Sequence, residues 1–176
     1  MPIQREKIIE ARLLDAIRKD PHAVEIKNST SDARTIADLL CGCVPTVFHD
    51  HSDWNPYPKF MLDLIGNMTP DIAFRSKLSS ENRIYIEVKD SQPLGHKHYG
   101  IEDSQVVRYF LHLMAMSKRI PKKGVTDIRR AMLLCAPSAW FKVERNAKAW
   151  AYFLEHFSGL AKSFDITLGE LHAESL

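Results

Sequence analysis

The chain has no apolar run approaching the ~20 residues that a membrane-crossing helix needs, and its opening segment is amphipathic and charged, unlike a signal peptide. Those absences predict a cytoplasmic protein with no membrane partner. The three cysteines, Cys41, Cys43 and Cys135, are too few and odd in number for a disulfide framework, which points to a reducing compartment. Neither sign of charge is in excess: 24 Lys and Arg face 22 acids, a net of +2, short of the basic balance of a protein that coats nucleic acid. Repeats and low-complexity tracts are missing as well. What is present is 45% hydrophobic content over 176 residues, enough for residues 1–176 to form one domain around a core that needs no staples.

The chemistry concentrates in two short stretches. In residues 83–90, Ile84, Ile86 and Val88 alternate with Tyr85, Glu87 and Lys89, and the period of two sends the first trio to a core and the second to the opposite face. Residues 71–77 read as another strand, with Pro70 tolerated at its start because a first or edge residue need not donate to the ladder. The polar link Leu78-Ser79-Ser80-Glu81-Asn82 is short and rich in turn formers, which predicts an antiparallel hairpin. Such a hairpin brings Asp71 beside Glu87. A Mg²⁺ ion keeps several waters and needs only one or two carboxylates besides a phosphate oxygen. Asp71 and Glu87 meet that demand, and the Val88 carbonyl between the functional side chains is a further candidate ligand. Lys89 then orients an attacking water and offsets charge on a phosphorane-like transition state.

Pro70-Asp71 followed, after 15 residues, by Glu87-Val88-Lys89 resembles the PD-(D/E)XK nuclease superfamily. The resemblance implies a restriction-endonuclease-like core of order αβββαβ, a mixed central sheet flanked by helices. It implies a metal-dependent nuclease that hydrolyses phosphodiester bonds with Mg²⁺ or Mn²⁺. DNA is the favoured substrate; an RNA-directed endonuclease and a non-catalytic nucleic-acid-binding module on the same fold are the alternatives. So small a chain leaves specificity to a homodimer or a partner protein.

Two helices flank the hairpin in this reading. Residues 4–19 form an amphipathic helix with Ile9, Leu13, Ala16 and Ile17 as its stripe, and Glu6 and Glu10 fall within that stripe. An acid on an inward face must reach the helix end, pair or bind metal. Superfamily members often lend a first-helix glutamate to the metal, and Glu10 is the better placed. The competing reading leaves both acids snorkelling to solvent near the helix start. Residues 104–117 carry Val107, Phe110, Leu111 and Met114 at i, i+3, i+4 and i+7, with Gln105, Arg108, Tyr109 and His112 on another face. Gln105-x-x-x-Tyr109 looks like the motif that follows Glu-x-Lys in RecB-type members, where it is associated with the active site and the nucleic-acid strand. An amide can bond a phosphate or a metal water, a tyrosine can stack on a base, and Arg108 can hold a phosphate bidentately. For His112 an ordinary solvated helix face is the expectation.

The remaining segments complete the layout. Residues 130–135 read as a strand covered on both faces, 142–157 as a helix, 164–168 as an edge strand, and 60–65 as the first strand, pairing with 71–77 and making Asp63 a minor site candidate. Residues 91–103, with His96, Lys97, His98 and Tyr99 between Gly95 and Gly100, form a loop suited to contact a phosphate backbone, as does the basic run 118–123. Cys41, Cys43, His49 and His51 offer zinc donors at a spacing poor for a structural site. A helix from about residue 31 to Cys41 and a long loop after it is the preferred reading there.

Overall fold

A strand buried on both faces reads as a largely apolar run, and that pattern marks the centre of the sheet. The computed structural model describes residues 2–40, 43–46, 70–76, 82–94, 105–117 and 129–176. Five strands lie in the order of the chain: β1 (Cys43–Thr46), β2 (Ile72–Ser76), β3 (Arg83–Val88), β4 (Arg130–Ala136) and β5 (Ile166–His172). The first three pair antiparallel, and β3, β4 and β5 pair parallel. The strand β3 is therefore the junction between the two kinds of pairing. Parallel neighbours need crossovers: helix α3 (Gln105–Ser117) lies between β3 and β4, while α4 (Ser138–Lys142) and α5 (Glu144–Ser163) lie between β4 and β5. Helices α1 (Pro2–Lys19) and α2 (Ile36–Leu40) precede the sheet.

Alternation sorts the strand side chains into two cores. Ile84, Ile86 and Val88 join Ala131, Leu133 and Cys135 in a cluster closed by Ile9, Leu13 and Ile17 of α1 and by Ile36 and Leu39 of α2. On the opposite face Tyr85, Met132 and Leu134 pack with Val106, Phe110 and Leu113 of α3 and with Trp150 and Phe153 of α5. Helices cover both sides, so the sheet is mixed and flanked as expected. Among the described residues no helix is long and apolar enough to cross a membrane.

Several boundaries differ from the sequence reading. The flank of β2 expected for residues 60–65 is taken by β1, with Cys43 opposite Ser76 and Thr46 opposite Ala73; residues 60–65, Asp63 included, lie outside the described residues. Pro45 fits in β1 because that strand is at the sheet edge. The helix expected from residue 31 begins at Ile36, since Asp38 accepts the Thr35 N–H at 2.8 Å and the Arg34 N–H at 2.8 Å, the reciprocal half of a capping box. The helix expected over 142–157 is α5, which starts at Glu144 and runs on to Ser163; the short α4 precedes it, with extended Val143 between the two.

The last strand is longer than expected, and its outer edge is covered. Lys27 and Glu170 exchange backbone hydrogen bonds of 2.9 Å, and the Thr30 N–H reaches the Leu168 carbonyl at 2.9 Å, so this edge offers little for another chain to pair with. Gly169 permits the approach: a Cβ there would stand 2.5 Å from Cγ2 of Ile26. Beyond β5, the Glu174 carboxylate accepts the Ser138 N–H at 2.8 Å, and the Ser138 hydroxyl meets Nδ1 of His172 at 2.8 Å. That clasp ties the chain after β5 to the start of α4.

Candidate functional site

The hairpin register decides whether the two carboxylates meet. Ile72 pairs with Ile86, so Asp71, one residue before β2, falls opposite Glu87, one residue further along β3. Ala73 belongs to the same core as Tyr85, which puts Asp71 and Glu87 on one face, turned towards α3. Pro70 has no N–H to offer Val88. The Val88 N–H donates to Oδ2 of Asp71 at 2.8 Å. The Asp71 side chain thus replaces the ladder where the hairpin opens, and the Val88 carbonyl stands at the same opening.

Glu87 is wholly buried, at 0% exposure. Its Oε1 accepts from Lys89 Nζ at 2.5 Å, while Oε2 is buried and has no hydrogen-bond partner among the described residues. Burial first, and then the charge of Asp71, push the Glu87 carboxyl up to about 8 against the pull of Lys89. Glu87 therefore keeps its proton near neutrality, as a buried carboxyl beside a second acid does. Lys89 bridges from Glu87 to Oε1 of Gln105 at 3.3 Å. Burial lowers its affinity for a proton, but Glu87, followed by Asp71 and Glu6, more than restores it and holds the ammonium above its ordinary range.

Helix α3 closes over this row with the face that carries Gln105, Tyr109 and His112, of which the sequence reading gave only His112 to solvent. Tyr109 and His112 are buried, whereas Leu111 and Met114 are half-buried, so the inward stripe is Val106, Val107, Tyr109, Phe110 and Leu113 together with His112. The Tyr109 hydroxyl adjoins Glu87 and Gln105; burial, then Glu87 and Asp71, hold it far above the phenol range, so it stays a donor. His112 is bound through Nδ1 to the Tyr85 hydroxyl at 2.9 Å, with the two rings stacked at 5.6 Å. A solvated role for His112 is thereby overturned: its partner is supplied by a strand 27 residues away. The signal available in the sequence was its position seven residues after Gln105 and three after Tyr109, on one helical face.

The start of α1 reaches the same end of the sheet from the other side. Glu10 pairs with Lys7 at 2.8 Å. Burial lifts its pKa, the Lys7 hydrogen bond opposes the lift, and the nearby charge of Asp71 adds to it. Glu6 accepts the Asp90 N–H at 3.5 Å, a contact the sequence did not reveal. Arg108 is half-buried on the flank of α3. Lys97, the rest of residues 95–104, the basic run 118–123, Cys41, His49 and His51 lie outside the described residues, and of Cys43 only the backbone is described.

A divalent cation suits the acids at this site. Wholly buried Glu87 lies beside half-buried Asp71, and its Oε2 has no hydrogen-bond partner among the described residues, a condition that a bound cation would relieve. Among the described residues no group of three or more His, Cys, Asp or Glu side chains converges; Asp71 and Glu87 are the two acids here that could hold a hard ion, which completes its shell with water. No family model, curated protein or solved structure matches the chain.

Proposed function

We propose that this protein is a Mg²⁺- or Mn²⁺-dependent nuclease of the PD-(D/E)XK type, hydrolysing phosphodiester bonds in nucleic acid, with DNA the favoured substrate. The observation that carries the reading is Glu87: a fully buried carboxyl beside Asp71, with one oxygen on Lys89 and the other without a donor. A structural ion pair gains nothing from a second acid at its side, whereas a cation site requires one. Further support comes from the order of elements, a helix and an antiparallel three-strand run followed by a helix and a parallel strand, which is the order the resemblance implies for a restriction-endonuclease-like core.

Asp71 and Glu87, with the Val88 carbonyl beside them and Glu10 as an accessory, would hold the ion; when bound it supplies Lewis acidity and a water of lowered pKa. Lys89, fixed between Glu87 and Gln105, places a positive charge where negative charge grows on the phosphoryl oxygens. The Gln105 amide orients the water and Lys89, and the Tyr109 hydroxyl donates at the same point.

The test is incubation of the protein with labelled single-stranded, double-stranded and branched DNA and with RNA, in Mn²⁺ and in EDTA. Cleavage in Mn²⁺, none in EDTA, and loss of cleavage in a folded Lys89→Ala variant are expected. Unchanged cleavage by Lys89→Ala would sink the assignment, and binding without cleavage in either metal would identify a non-catalytic module.

A further inference from the structure

We infer that His112 and Tyr85 are positioning residues that set the register of α3 against β3 and so deliver Gln105 and Tyr109 to the reacting end of the sheet; this rests on the nuclease reading for its catalytic consequence. The inference comes from a ladder that neither element reveals alone. On the face of β3 turned to α3, Tyr85, Glu87 and Lys89 follow one another at alternate positions. They are met in reverse order by His112, Tyr109 and Gln105, at i+7, i+4 and i of α3. The rungs are His112 Nδ1 to the Tyr85 hydroxyl at 2.9 Å, Tyr109 against Glu87, and Gln105 Oε1 to Lys89 Nζ at 3.3 Å. Arg83 Nη1 extends the column by donating to the Tyr85 hydroxyl at 3.2 Å.

Two of the rungs contain groups with a chemical task. The third, deepest rung does not, yet Tyr85 and His112 are 1% exposed and Tyr85 belongs to the apolar core beneath α3. A phenylalanine and a leucine would fill that space with fewer buried polar atoms, at the cost of the acceptor that Arg83 finds in the Tyr85 hydroxyl. What the polar rung adds is direction. Packing of Val106, Phe110 and Leu113 on the sheet is non-directional, whereas a shift of α3 by one residue turns each side chain by about 100° and about 1.5 Å along the axis and breaks all three rungs. The Tyr109 ring also meets Tyr85 edge-on at 6.0 Å, so the deepest rung bears on the middle one directly. The long Gln105–Lys89 bond is the most adjustable, and it lies furthest from the anchor.

The test compares wild type with Tyr85→Phe, His112→Leu and His112→Asn, in which the Asn amide takes the place of Nδ1. Three quantities are read: melting temperature, kcat and KM for the nucleic acid cleaved in Mn²⁺, and the Gln105 side-chain amide resonances. Expected are retained melting, a kcat loss between about tenfold and about a hundredfold with KM within about twofold for Tyr85→Phe and His112→Leu, displaced Gln105 resonances in both, and recovery in His112→Asn. Unmoved Gln105 resonances with unchanged kcat overturn the inference, as does a kcat loss that leaves those resonances in place. Should His112→Leu fail to fold, Tyr85→Phe, which deletes one oxygen, decides. A wild type that cleaves nothing defeats the nuclease reading alone, and the Gln105 resonances then decide the register.

Discussion

Replacing Glu87 with glutamine removes a carboxyl that folding carries from its ordinary 4.5 to about 8. The sign follows from proton counts. Between those values the folded protein holds a proton that the unfolded chain has released, so the stability of the wild type falls as pH rises, by about 1.4 kcal/mol per pH unit in the middle of the interval. Above the folded value the decline ends, having removed roughly 5 kcal/mol. Lys89 adds no slope over this range, because its folded value lies above 10.5 and its contribution is lost only at higher pH. The variant keeps an amide oxygen that can accept from Lys89 but has no proton to release, so its stability profile lacks the Glu87 slope. Urea denaturation followed by circular dichroism in EDTA, from pH 5 to pH 9 at close intervals, measures that difference, with wild type losing stability relative to Glu87→Gln up to about pH 8. Parallel profiles for the two proteins refute the reasoning, because a buried carboxyl repelled by Asp71 cannot be indifferent to pH.

Three further outcomes follow from single contacts. Asp71→Ala leaves the Val88 N–H without the acceptor it has at 2.8 Å, which costs about 1–3 kcal/mol at pH 6; at pH 9 relief of the repulsion on Glu87 offsets part of that loss, and urea midpoints at the two pH values check it. Gly169→Ala places a methyl group 2.5 Å from Cγ2 of Ile26 and destabilises by about 1–3 kcal/mol, read from the thermal midpoint. Cys135 is buried and its thiol is pushed up to about 12, with burial as the main cause, so iodoacetamide at pH 8 labels it only as fast as the protein unfolds, as peptide mapping against urea-treated protein will report.

The legible part of the site was the part written in local geometry. A strand alternates whatever surrounds it, so Ile84 to Lys89 declared which side Glu87 and Lys89 would take, and the short polar link after β2 required the hairpin that sets Asp71 across from Glu87. The illegible part depended on partners distant in sequence. Leu111 and Met114 outweighed His112 in any reading of α3 by polarity, because a histidine looks solvated until a tyrosine from β3 arrives to bond it. The identity of the first strand was hidden for a similar reason. Pro45 argues against a strand unless that strand has an edge free of ladder bonds, and only the assembled sheet says which strand is outermost.

The sequence by itself determined that two acids and a lysine share one end of one sheet face, because backbone periodicity and a short turn leave no other arrangement. The tertiary structure alone decided how dry that place is, and dryness controls the chemistry. Burial under α3 brings Gln105 and Tyr109 to Lys89 and Glu87. It also leaves one carboxylate oxygen without a donor and raises Glu87 to about 8. Each of these is a consequence of excluding water, and water is excluded by packing between segments that the chain keeps apart.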